Sequence, residues 1–114
     1  VTTRVTAANW RRVEFESQPE KTFQTWLVEL AEAHGWLVYH TYDSRRSQPG
    51  FPDLCMVRGQ RIVFAELKSQ KGRVAASQQN WLTALGATAV EVYLWRPSDR
   101  EQIEETLVTS YRAA

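Results

Sequence analysis

Between residues 23 and 31 the apolar positions Phe23, Trp26, Leu27, Leu30 and Ala31 fall at i, i+3, i+4, i+7 and i+8, the spacing that keeps one helix face against a core. Pro19 suits the first turn of that helix and Gly35 stops it. The period then changes. Trp36-Leu37-Val38-Tyr39-His40 is a β-prone run, followed by a polar loop over 41–50. Leu54-Cys55-Met56-Val57-Arg58 and the run from Arg61 to Leu67 read as strands joined by Gly59-Gln60, whose leading glycine suits a type II′ turn. After the polar Gln70-Lys71-Gly72-Arg73, the positions Gln78, Trp81, Leu82 and Leu85 mark a second amphipathic helix closed by Gly86. Residues 90–95 form a further strand, and Ser98 with Glu101 is a capping-box pattern opening a last helix through Ile103, Leu107 and Tyr111. The predicted order is α-β-β-β-α-β-α, an α/β fold with residues 1–13 unassigned.

The hairpin carries the first chemical signal. A two-residue turn pairs Arg58 with Arg61 and, counting outward, Asp53 with Glu66. Directly opposed residues have Cβ atoms about 4.5–5.5 Å apart, where like charges repel. The same alternation puts Cys55, Val57, Ile62, Phe64 and Lys68 on the face of the two acids, so the acids end an apolar row at the mouth of a core. Two carboxylates and an ammonium suit a hard cation and a phosphate, because Mg²⁺ takes one or two carboxylates and completes its shell with water and phosphate oxygens. Such a site hydrolyses phosphodiesters. In the structural alternative, Asp53 merely opens a strand after Pro52, and Glu66 and Lys68 form a solvated edge pair.

The helix period adds a third acid. Glu20 lies three residues before Phe23 and seven before Leu27, on the core-facing stripe. Ser17-Gln18-Pro19-Glu20 also reads as a capping box, with Glu20 at the positive end of the helix dipole. Gln78 shares the buried stripe of the second helix, either satisfying backbone or contacting water or phosphate. His34 and His40 read as a helix-end partner and a strand residue, and Cys55 as a small buried hydrophobe. No Gly-rich phosphate loop, GxSxG or HExxH occurs, so P-loop, serine-hydrolase and zinc-protease chemistry lack their signatures.

Composition narrows the class without naming a partner. The 114 residues are enough for one core and one domain, 1–114, with its body over about 17–108 and the first 13 residues an arm or dimerisation segment. One cysteine permits no internal disulfide and no multi-cysteine zinc site, so a reducing cytoplasm is the expectation. No apolar run marks a signal peptide or a membrane span. The net charge of +1 conceals an uneven distribution: residues 45–73 hold seven basic residues and two acids, while the last helix carries Asp99, Glu101, Glu104 and Glu105. Any nucleic acid would be bound through that local patch.

Gly50-Phe51-Pro52-Asp53-Leu54, followed by Ala65-Glu66-Leu67-Lys68-Ser69, resembles the PD-(D/E)XK nuclease signature. With Glu20 and Gln24 on the first helix, and Gly72-Arg73-Val74 leading to Gln78 and Trp81, it resembles more narrowly the VRR-NUC family, the virus-type replication-repair nucleases, over residues 17–108. The resemblance implies a restriction-endonuclease-like core, a central mixed sheet flanked by helices, and metal-dependent cleavage of DNA. It implies that Asp53, Glu66 and the Leu67 carbonyl bind Mg²⁺ or Mn²⁺, that Lys68 is the catalytic lysine, and that Glu20 acts on the ion directly or through water. Glu14 or Glu16 takes that place if the helix starts elsewhere. Gln78 matches the glutamine that follows the lysine. Small stand-alone members from phages and bacteria resemble Holliday junction resolvases acting as homodimers in DNA recombination and repair, in a bacterial or phage-infected cytoplasm. A dimer supplies the two centres that symmetric cleavage of a four-way junction needs, and Trp10, Trp26, Trp36, Trp81 and Trp95 offer apolar surface for an interface. Arg45, Arg46, Lys71 and Arg73 are the expected DNA-binding residues. Cleavage of flaps or linear DNA, and a non-catalytic DNA-binding module on the same fold, are the alternatives.

Overall fold

The computed structural model describes residues 6–41 and 47–109. The chain forms α1 (Ala7–Glu16), α2 (Glu20–Ala33), β1 (Leu37–His40), β2 (Leu54–Arg58), β3 (Arg61–Leu67), α3 (Ala76–Gly86), β4 (Glu91–Trp95), a 3₁₀ turn (Pro97–Asp99) and α4 (Arg100–Val108). The strands make one sheet in the order β1-β2-β3-β4. β1, β2 and β3 are antiparallel neighbours, and β4 runs parallel to β3 after the α3 crossover. This is a mixed α/β sheet flanked by helices. No helix among the described residues is long and apolar enough to cross a membrane.

The predicted hairpin register holds, with Leu54 opposite Ala65 and Arg58 opposite Arg61. Gly59 takes φ +61°, the positive value a tight turn asks of its first loop residue. Gly35, at φ +85°, ends α2.

The core lies on the face away from the acids. Leu54, Met56, Val63, Ala65, Leu67 and Trp95 are fully buried with Phe23, Leu27 and Ala31 of α2 and Ile103 and Leu107 of α4. The row predicted to lead into that core, from Cys55 and Val57 to Ile62 and Phe64, lies on the opposite face, where Val57 and Ile62 are exposed. Cys55 is half-buried there, and burial raises its thiol pKa. That second face is covered only in part. Phe51 meets Phe64 edge-on at 5.7 Å and Trp81 of α3 at 5.0 Å, and β1 lies beyond α3 with Leu37 78% and Tyr39 66% exposed.

Three predicted local features differ. Residues 1–13 show no element in the sequence pattern, yet residues 7–16 form α1, capped by the Thr6 hydroxyl accepting from Asn9 N–H at 3.1 Å. Ser17 does not cap α2. Its hydroxyl donates back to the Val13 carbonyl at the end of α1, and α2 starts after Pro19 with no side-chain cap. Ser98 does not cap α4 either: Asp99 precedes the helix and accepts from Arg96 N–H at 2.8 Å, while Ser98 lies in the 3₁₀ turn. Tyr111 lies outside the described residues.

Arg58 and Arg61, counted in the basic patch, are structural. Arg58 donates to the carbonyls of His34, Leu107 and Thr109. Arg61 binds both Glu91 oxygens at 2.7 and 2.8 Å, holding that carboxyl below its usual pKa, and reaches the Thr106 carbonyl. Both guanidiniums lie over the Trp36 ring, at 4.6 and 5.1 Å from its centroid.

Candidate active site

Asp53 and Glu66 meet at one end of the two central strands for reasons set by the chain around them. Buried Pro52 leads into Asp53, which occupies the register position beside Glu66 just outside the β2–β3 ladder. One Asp53 oxygen, Oδ2, accepts the Leu67 N–H at 2.8 Å, so the side chain extends the strand pairing by one bond. Lys68, the next residue on the acid face, donates its N–H to the Trp95 carbonyl at 3.0 Å. The hairpin and the parallel β4 together fix the three residues.

Gln78 arrives from α3. At the third position of that helix its Oε1 accepts the Ala75 N–H at 2.8 Å, and its Nε2 donates to Glu66 Oε2 at 2.9 Å. The backbone-satisfying reading of this side chain holds, and its amide nitrogen is taken up by the acid. Gly50 makes the approach possible. At φ +94°, a Cβ there would sit 2.4 Å from the Ser77 carbonyl and 2.8 Å from Gln78 N, so only glycine lets the turn before Asp53 pack against the first turn of α3.

The electrostatics are those of crowded acids. Glu66 is 2% exposed. Its pKa is pushed up to about 8, first by burial and then by the Asp53 charge, with a smaller upward contribution from the charge of Glu20; Lys68 pulls it down. Glu20, at the start of α2, is raised by desolvation and Asp53 and lowered by Lys68. The structure therefore brings Glu20, Asp53, Glu66, Lys68 and Gln78 into one neighbourhood. Glu14 and Glu16 belong to α1. His34 ends α2 and His40 ends β1.

The cationic residues divide. Lys71 and Arg73 are exposed on the loop after Lys68, and Arg45 and Arg46 lie outside the described residues. Arg96, which the sequence pattern did not mark, folds onto that same loop. Its only sequence signal is its place next to the end of β4.

Glu66 Oε1 is buried with no hydrogen-bond partner among the described residues. A carboxylate so placed needs a proton or a cation. Among the described residues no three His, Cys, Asp or Glu side chains gather to hold an ion. The Asp53–Glu66 pair supplies the two carboxylates that Mg²⁺ ordinarily takes from protein, leaving its other positions for water and phosphate. The donor set therefore fits a hard divalent cation.

No curated protein and no solved structure matches the chain. The profile of the VRR-NUC domain matches residues 4–99, most of the chain, including α1 and every residue of the acid–lysine cluster. The chain belongs to the VRR-NUC family.

Proposed function

We propose that this VRR-NUC protein is a divalent-metal-dependent DNA endonuclease, selective for branched DNA such as a four-way junction and active as a homodimer. Membership of the family makes it a nuclease-type domain. The observation that carries the metal-dependent reading is Glu66, a buried carboxyl with one orphaned oxygen beside Asp53.

Asp53, anchored on Leu67 N–H, and Glu66, anchored on Gln78, would hold the ion, with the Leu67 carbonyl as a further oxygen and Glu20 at the margin. When bound, Mg²⁺ or Mn²⁺ supplies Lewis-acid polarisation of the scissile phosphate. Lys68, on the same face as the two acids, would steady negative charge building on the phosphate or orient the attacking water. Lys71 and Arg73, with Arg45 and Arg46, hold the flanking phosphates without reading sequence.

The dimer rests on the need for two centres to cut two strands. Of the five tryptophans, Trp36 and Trp95 are buried in the core, Trp26 and Trp81 are half-buried, and Trp10 is exposed and available to an interface. The exposed Leu37, Tyr39, Val57 and Ile62 on the acid-bearing face also offer one.

The test incubates the protein with four-way, flap, linear-duplex and single-stranded DNA in Mg²⁺ or EDTA. Mg²⁺-dependent nicking of junctions is expected. No cutting of any substrate would overturn the nuclease reading, and cutting of flaps or duplex with junctions spared would remove junction selectivity alone. DNA handling unchanged in Asp53→Ala would favour the non-catalytic module. A monomer by light scattering, with and without junction DNA, would remove the dimer.

A further inference from the structure

The loop after Lys68 leaves the sheet with the carbonyls of Ser69, Gln70 and Gly72 outside the strand ladder. All three converge on one nitrogen. Arg96 Nη1 donates to Ser69 O and Gly72 O at 2.8 Å each and lies 3.3 Å from Gln70 O. Arg96 is half-buried, and its backbone is fixed by its N–H bond to Asp99 Oδ2. A second anchor lies alongside: Gln70 Nε2 donates to Ser98 Oγ at 2.8 Å, and Ser98 N–H donates to Gln70 Oε1 at 2.9 Å. The chain segment 96–99 therefore holds the loop twice.

This arrangement bears on Lys68 from both sides. Leu67 faces Trp95 in the parallel register, so Arg96 occupies the position beside Lys68, and the Lys68 N–H is bonded to the residue before Arg96. After Lys68 the chain folds back on its own lysine: a Cβ on Gly72 would lie 3.0 Å from Ser69 Oγ and 3.5 Å from Lys68 Cβ. The stem of the lysine thus rests against a loop whose curvature is held by a guanidinium. Removing that donor leaves three converging carbonyl dipoles that repel one another, and the loop must open to reach water.

We infer that Arg96 is a positioning residue: by gathering the carbonyls of residues 69, 70 and 72 it fixes where the Lys68 side chain stands beside the acids. The inference rests on the nuclease reading for its functional half and on hydrogen-bond geometry alone for its structural half. A misplacement of about 1 Å can cost up to on the order of 10²-fold in rate, so the effect appears in turnover rather than in DNA binding. Lys71 and Arg73 keep their charges.

The experiment compares wild type, Arg96→Gln, Arg96→Lys and Gln70→Ala. It measures single-turnover cleavage, DNA affinity without cleavage in Ca²⁺, and amide hydrogen exchange over residues 68–73. Arg96→Gln is expected to lower the rate about tenfold with affinity within about twofold of wild type, and to speed exchange in the loop. Arg96→Lys, which keeps a cationic donor, restores most of the rate. Gln70→Ala, which leaves the guanidinium in place, loses about threefold and keeps the inference testable if Arg96→Gln does not fold. Unchanged rate and exchange in both Arg96→Gln and Gln70→Ala would overturn it, as would a loss confined to affinity, which would make Arg96 a DNA contact. If wild type cuts nothing, the nuclease reading fails separately, and exchange still decides whether Arg96 holds the loop.

Discussion

The two faces of the sheet are built from the same strands one residue out of phase, yet one is closed and the other open. Leu54, Met56, Val63, Ala65 and Leu67 have no exposure, because α2 and α4 both lie over them. Cys55, Val57, Ile62 and Phe64 are similar in hydrophobicity but share a single helix, α3, which shields the β3–β4 side. The difference is one of cover, not of strand composition. The closed face can hold no charge without penalty. The open face ends in Asp53, Glu66 and Lys68, the residues proposed above to meet an ion and a phosphate. Stability and chemistry are thereby assigned to opposite sides of one layer.

Breaking the open face at its acids should give the largest effect. Asp53→Asn keeps an acceptor for the Leu67 N–H and should lower cleavage on the order of 10³-fold with little change in melting temperature, read by junction nicking and by calorimetry. The closed face should show the reverse. Leu54→Ala should destabilise by about 2–5 kcal/mol, whereas Val57→Ala on the open face should shift stability by less than about 1 kcal/mol, both from urea unfolding. Equal losses at the two positions would end the distinction.

Gly50→Ala tests the close approach of the turn before Asp53 to α3. The clash with Ser77 and the positive φ should cost about 1–3 kcal/mol, and cleavage should fall further than that loss of folded protein explains, because Gln78 is pushed from Glu66. The smallest and sharpest effect is on pH. Glu66 has a folded pKa of about 8 against an ordinary 4.5. The folded state therefore keeps a proton that the unfolded chain releases, and the stability linked to this group is full below pH 4.5 and lost as pH rises through 8. In EDTA the melting temperature of Glu66→Gln should lack this decline. Mg²⁺ should raise the wild-type midpoint most at the alkaline end, where no proton competes.

The hairpin register was legible because a two-residue turn led by Gly59 fixes every pair beyond it, Asp53 and Glu66 included. Which face would be the core was not, because both rows are apolar and strands without alternation carry no sidedness. α1 was hidden for a related reason: its Trp10 is 61% exposed and only Phe15 turns inward, 4.8 Å from Trp26, so no stripe marks it. The order of Glu20, Asp53, Glu66, Lys68 and Gln78 along the chain could be read directly. The roles of Gly50, Arg58, Arg61 and Arg96 could not, since each answers to a backbone group tens of residues away, and a local pattern holds no record of such partners.

The clasp around Trp36 makes the timing of assembly a property of the architecture. The indole N–H donates to the Leu107 carbonyl, 71 residues later, and Arg58 reaches the same carbonyl across 49. On a ribosome the hairpin and α2 emerge before α4, so Trp36 waits for the Leu107 carbonyl and Arg58 for those of Leu107 and Thr109 while the core lacks Ile103 and Leu107. The surroundings of Trp36 are therefore complete only once α4 has docked. A chain halted before α4 should carry its acids on a sheet whose core is unfinished.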